Sequence, residues 1–175
     1  MSEYRYCPTC RAELNTVERG GKPRLACPQC SFVHWQNPVP VVAAIVERAG
    51  RVILVRSIGR PATWFGLVAG FLEHGEHPEA AALREVGEEL GIEARLERFI
   101  GIYPFERLNQ VIFAYHVQGG PGPIALAADE LDAYQEGPIE KLKPWRQGTG
   151  PALRDWLAAR GLHPPSVDFG TPLDV

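Results

Sequence analysis

Residues 70–92, GFLEHGEHPEAAALREVGEELGI, read as a glycine-started loop feeding a short helix that carries a surplus of carboxylates on one side. Pro78 suits the first helical position, where a missing N–H is no loss. Glu79 suits the positive end of the helix dipole. Ala80, Ala81, Ala82 and Leu83 are good helix formers, and Gly91 is a natural stop. His77 falls at the N-cap, a place better filled by Ser or Asp. Glu85, Glu88 and Glu89 stand at i, i+3 and i+4, so they share one face. Ala82, Val86 and Leu90 form another stripe, suited to packing on a sheet. Like charges at neighbouring helical positions repel, so the acidic face needs a positive partner. Hard divalent cations such as Mg²⁺ take oxygen ligands and keep water or substrate phosphate in their shell. A solvated acidic face is the plain alternative.

The flanking residues decide between them. The pattern G-x5-E-x7-R-E-U-x-E-E-x-G-U, with U a bulky aliphatic, is met at Gly70, Glu76, Arg84, Glu85, Val86, Glu88, Glu89, Gly91 and Ile92. That is the signature of the Nudix hydrolases, which this chain resembles. The resemblance implies an α+β fold, an α/β/α sandwich around a mixed sheet, over roughly residues 39–160. It implies hydrolysis of a nucleoside diphosphate linked to another group. Glu85, Glu88 and Glu89 are then the Mg²⁺ (or Mn²⁺) ligands, joined by the carbonyl of Gly70. Glu76 and Arg84 are expected to pair and hold the loop on the helix. The box leaves the general base open: Glu85 is one proton acceptor, Glu130 in the later AADEL segment is the best-placed candidate, and Glu106 is a weaker one. A substrate ring needs an aromatic face and polar edges, for which Trp64, Phe65, Tyr103, Phe105 and Gln110 are candidates. Ahead of the box, many relatives read Leu-Pro-Gly-Gly, whereas Leu67-Val68-Ala69-Gly70 lacks the proline and one glycine.

Residues 1–35 read as a unit of their own. Cys7, Cys10, Cys27 and Cys30 form two C-x2-C pairs and are all the cysteines of the chain. A turn at Gly20-Gly21 folds the intervening segment into a hairpin that brings the pairs together. Four thiolates at this spacing specify a structural, tetrahedral Zn²⁺, and so small a piece needs metal to fold. The expected organisation is a zinc ribbon over 1–35, the catalytic domain over 36–161 and a proline-rich tail over 162–175.

In the central domain, strands are expected on either side of Ala49-Gly50 and across ARLERFIGIYPF and QVIFAYHVQGG. An amphipathic helix is expected over 149–161 with Leu153, Trp156 and Leu157 inward. The 175 residues carry a net charge of −3 and a pI near 6.0, which gives no sign of a nucleic-acid surface. No apolar run is long enough to span a membrane, and the N-terminal MSEYRYC lacks a signal-peptide core. A cytoplasmic enzyme acting on a small nucleotide is the expectation, with a homodimer suggested only by analogy to relatives.

Two ribbon-bearing groups of Nudix proteins compare with this chain. NADH pyrophosphatases, which also remove NAD caps from RNA, carry S-Q-P-W-P-F-P-x-S soon after the box. Here that region reads RFIGIYPFERLNQVIF, without the motif. Proteins similar to the plant plastid FAD pyrophosphatase share the short ribbon, a linker like Trp35-Gln36-Asn37-Pro38, and a Gln-Val start like Gln110-Val111. The second resemblance favours a dinucleotide such as FAD over NADH or ADP-ribose. The reading from another class is a ribbon-led module that senses a nucleotide or binds nucleic acid without catalysis; intact glutamates favour the enzyme.

Overall fold

The computed structural model describes residues 4–170 and divides into two compact units between Asn37 and Pro38. The first unit is a three-stranded antiparallel sheet of β1 (Asn15–Arg19), β2 (Lys22–Ala26) and β3 (Val33–His34). Gly20 and Gly21 join β1 to β2 with φ of 60° and 72°. Two successive left-handed residues make the two-residue turn that matches strand twist, which is why glycines stand there. Its buried cluster is small: Cys7, Leu14 and Cys27, with Ala12, Leu25, Cys30 and Phe32 partly covered.

The second unit is built on β4 (Val39–Arg48). Its near-continuous apolar run is buried on both faces, and side chains alternate between them. Val42, Ala44 and Val46 face one core, which holds Ala82, Val86 and Leu90 of α1 (Pro78–Leu90). Ile45 faces the other, with Leu153, Trp156 and Leu157 of α2 (Gly150–Ala158). Helices on both sides of one sheet give the expected sandwich.

The sheet is mixed, as expected. β8 (Gln110–Gly119) runs parallel to β4, and β7 (Ala94–Phe105) is antiparallel to β8 at one edge. On the other flank of β4, β5 (Arg51–Ser57) pairs with residues 46–48, and β6 (Val68–Phe71) pairs with residues 41–44. β9 (Leu131–Pro138) closes the far edge against β5. Sharing one flank of β4 sets β6, and with it Gly70, against α1 and its Glu85 side chain.

Residues 162–170, expected to form nothing by themselves, lean on the domain instead. Leu162 packs on the α2 core, and Val167 bridges Trp145 in parallel. The remainder of the expected tail, 171–175, lies outside the described residues, as do residues 1–3 of the ribbon.

Candidate active site and cysteine centre

Helix α1 begins as its sequence dictates. Pro78 opens it, and the His77 ring nitrogen Nδ1 accepts from Glu79 N at 3.3 Å, so the unusual cap does bond the first turn. Gly91 ends it at φ 66°, donating to Gly87 O. With Ala82, Val86 and Leu90 held in the core, the helix cannot rotate. Its acidic residues are therefore fixed relative to β6.

Glu85 and Glu89 are buried, at 8% and 5% exposure, whereas the Glu88 side chain is 60% exposed. Arg84 organises the group. Its Nε and Nη2 donate to the two oxygens of Glu76 at 2.8 and 3.0 Å, a bidentate pair that fixes the guanidinium plane. Nη2 also donates to Phe71 O at 3.1 Å, and Nη1 reaches Glu85 at 2.8 Å and Glu88 at 2.7 Å. The expected pairing of Glu76 with Arg84 is present, and the arginine does more than the sequence suggested. It is the positive partner that the acidic face demands. One consequence is that Glu85 and Glu88 turn toward Arg84, and the three glutamates do not close into a cluster around one point. Among the described residues, the cysteines alone form a group of three or more such ligands with donor atoms mutually within 4.8 Å.

Electrostatics follow from these positions. The hydrogen bonds from Arg84 hold the Glu76 carboxyl below its ordinary range. Burial pushes Glu85 upward, with Glu88 and Glu130 adding like charge against the pull of Arg84. Burial pushes Glu89 up to about 8, again with help from Glu85 and Glu130. Glu130 thus lies within electrostatic reach of both buried acids although it comes from the turn before β9. Ala69 N donates to Glu89 Oε1 at 3.3 Å, while Glu89 Oε2 is buried with no hydrogen-bond partner. An unpartnered buried carboxylate oxygen is costly unless a cation or proton meets it.

Gly70 supplies the facing wall. A Cβ there would lie 2.1 Å from Glu85 Cδ and Oε1, so any side chain at 70 would displace the Glu85 carboxylate from its place beside β6. The orphaned oxygen and this approach fit a hard cation held by Glu85, Glu89 and the Gly70 carbonyl, with Glu88 adjacent. Val68 and Ala69, the departures from Leu-Pro-Gly-Gly, take ordinary strand roles: Val68 is core, and Ala69 gives its N–H to Glu89.

A cavity of about 460 Å³ opens from this point, with Glu89, Ala69 and Gly70 at one end. Trp64, Phe105 and Gln110 line it as expected, together with Ser57, Arg60, Arg107, Trp145, Thr149 and Phe169. Phe65 and Tyr103 do not. Phe65 packs against the α2 core under the Arg56 guanidinium. The Tyr103 hydroxyl donates to Asp155 at 2.9 Å, and burial with that carboxylate pushes it up to about 12. The causes differ: Phe65 follows the turn at residues 61–64 and enters the α2 core, whereas Tyr103, which packs on the same cluster as Phe105, is held by Asp155 of α2. Glu106 sits exposed in a 3-10 turn and does not line the cavity. Sequence reading missed Trp145 and Phe169, which lie in loop and tail segments without a repeating pattern.

In the first unit the four cysteines form no disulfide. Cys7 and Cys30 Sγ are 3.6 Å apart, Cys10 and Cys27 3.4 Å, and Cys10 and Cys30 3.9 Å. Thiolates about 2.3 Å from a tetrahedral zinc ion would sit about 3.8 Å from one another. The donor set and its spacing fit that ion.

The NUDIX domain matches residues 37–157. The chain belongs to the Nudix family. Its relatives include the NAD-capped RNA hydrolase NudC of Stutzerimonas stutzeri (strain A1501), 26% identical over 94% of this chain and 60% of that protein. That of Pseudomonas entomophila (strain L48) is 27% identical over 91% and 58%. The chain thus spans about three fifths of the length of these curated relatives. A Nudix hydrolase structure from Nitrosomonas europaea shares the fold at a TM-score of 0.75, 23% identity, and 93% and 96% coverage of the two chains. Among the described residues no helix is long and apolar enough to cross a membrane.

Proposed function

We propose that this Nudix protein hydrolyses the pyrophosphate bond of a nucleoside diphosphate linked to a second group, a dinucleotide such as FAD, releasing AMP. The observation that carries this is the buried, unpartnered Oε2 of Glu89 at the end of an aromatic-walled cavity. A sensing module would have no use for an acid held so expensively; a hydrolase does.

Glu85, Glu88, Glu89 and the Gly70 carbonyl would hold Mg²⁺ or Mn²⁺. Bound there, the ion supplies charge neutralisation for the diphosphate and a lowered pKa for water. The remaining tasks belong to side chains. The Glu76–Arg84 pair sets the orientation of Glu85 and Glu88. Arg60 and Arg107 place positive charge on the cavity wall, where the phosphates enter. Glu130 is our candidate to take the proton from the attacking water as the new P–O bond forms and the bridging P–O bond breaks. Its carboxylate comes close enough to Glu85 and Glu89 to raise both. Trp64, Phe105 and Trp145 offer faces for a base, with Gln110 and Thr149 as polar edges. The zinc we assign to Cys7, Cys10, Cys27 and Cys30 has no open position and serves the fold of the ribbon.

A second reading rests on the relatives named NAD-capped RNA hydrolase. Against it stands the missing S-Q-P-W-P-F-P-x-S segment, replaced here by RFIGIYPFERLNQVIF. The deciding experiment measures Mg²⁺-dependent release of AMP from FAD, NADH, NAD⁺ and ADP-ribose, with RNA bearing a 5′ NAD in a parallel arm. We expect turnover of a free dinucleotide, FAD first. Preference for the capped RNA would select the second reading, and no turnover in any arm would reject catalysis.

A further inference from the structure

The cavity has one wall that the catalytic box does not explain. Among the described residues, Phe169 is the only one lining it that comes from beyond α2. Its ring centroid lies 5.3 Å from that of Trp64 and 5.2 Å from that of Trp145, edge-on to both. The three rings form a continuous aromatic surface.

The backbone is built to keep Phe169 there. Val167 N donates to Pro144 O at 2.9 Å, and Val167 bridges Trp145, which ties the segment two residues ahead of the ring. Gly170 follows at φ 93°, and a Cβ on it would lie 2.4 Å from Trp64 Cδ1. Any side chain there would push the segment off Trp64. Gly66 faces the ring with its Cβ position 3.6 Å from Phe169 Cζ, an ordinary contact. Despite this anchoring Phe169 remains 39% exposed. A core ring would be covered; this one is held in place with a face to the cavity.

Its place along the cavity is set by β6. Gly66 and Gly70 are four residues apart on an extended stretch, about 13 Å. The Phe169 surface and the Glu89–Gly70 end therefore stand apart by enough for a sugar between a diphosphate and a ring. We propose that Phe169 is a specificity-determining residue that receives a planar heteroaromatic ring, a nucleobase or one like it, on the substrate arm lying away from the carboxylates. This rests on the pyrophosphohydrolase reading above.

The test uses the full-length protein without divalent cation and three probes: AMP, FMN and ribose 5-phosphate, the last a sugar phosphate with no ring. Calorimetric titration of the wild type should show tighter binding of AMP or FMN than of ribose 5-phosphate. Phe169→Leu keeps the apolar bulk but removes the flat face. It should weaken the ring-bearing probe by about 5- to 100-fold and leave ribose 5-phosphate unchanged, and Phe169→Trp should restore binding. With the substrate that turns over fastest, Phe169→Leu should raise KM by a similar factor at constant kcat. An unchanged preference in Phe169→Leu, or equal losses for all three probes, would overturn the proposal. Turnover failing in the wild type while ring selectivity depends on Phe169 would instead overturn the hydrolase reading alone.

Discussion

The cysteine centre and the carboxylate site put their ligands on opposite kinds of support. In the ribbon unit the ligands are themselves most of the buried cluster: Cys7 and Cys27 with Leu14. In the second unit Glu85 and Glu89 ride on a helix whose other stripe, Ala82, Val86 and Leu90, is fully buried among strands β4, β5 and β8. Where the donors are the core, metal and fold are one equilibrium. Where the donors are mounted on a core, the fold stands alone and can hold buried acids in a state they would not choose.

Stripping zinc is the strongest way to break this contrast. Chelation, or Cys27→Ser with Cys30→Ser, should unfold the ribbon, since structural zinc contributes on the order of 10 kcal/mol. The melting of the second unit should remain, followed by calorimetry. Loss of both transitions together would erase the distinction.

Glu88→Gln comes next. With the fold independent of this acid, the circular dichroism and melting temperature should hold while kcat falls roughly a thousand-fold, the several kcal/mol expected of a metal site. Unchanged activity would remove Glu88 from the chemistry.

A pH series sharpens the idea of an enforced acid. Glu89 ionises near 4.5 when unfolded and near 8 when folded. Across that window the folded state binds more protons, so the contribution of Glu89 is fully present below pH 4.5 and is lost as pH rises through 8. Without divalent cation, urea midpoints should therefore fall from pH 5 to pH 8 by the equivalent of a few kcal/mol at most. Glu89→Gln should flatten the trend, and Mg²⁺ should restore stability at pH 8 in the wild type only.

Removing the clamp is a smaller perturbation. Glu76→Gln breaks the bidentate pair with Arg84 and should weaken Mg²⁺ binding about 10- to 100-fold, as for other outer partners of metal ligands, read by titrating the metal dependence of turnover. The smallest effect is at the helix start: His77→Ala should lower stability by no more than about 1 kcal/mol, with activity intact.

How much of this was readable in advance depends on how far apart the participants lie in the chain. The α1 boundaries and the Gly20-Gly21 and Ala49-Gly50 turns rest on contacts within a few residues, and all are present, as is the Glu76–Arg84 pair that the family resemblance implied. His77 looked like a defect until its ring nitrogen was seen to accept from Glu79. Phe65 and Tyr103 fall outside the cavity lining because contacts distant in the chain, the α2 core for one and Asp155 for the other, take up their rings. Trp145 and Phe169 gave no signal: neither lies in a periodic segment, and they meet only because the segment after α2 pairs back onto residues 144–145.

The sequence by itself determined the helix that carries the glutamates and the hairpin between the cysteine pairs, because spacing along a helix or hairpin fixes which side chains are neighbours, and its motif pointed to the Nudix family. Tertiary structure alone decided that Glu89 is left with an unpartnered oxygen, that Arg84 neutralises the acidic face, and which rings wall the cavity. Those depend on burial and on contacts between strands and loops far apart in the chain, which local spacing does not encode.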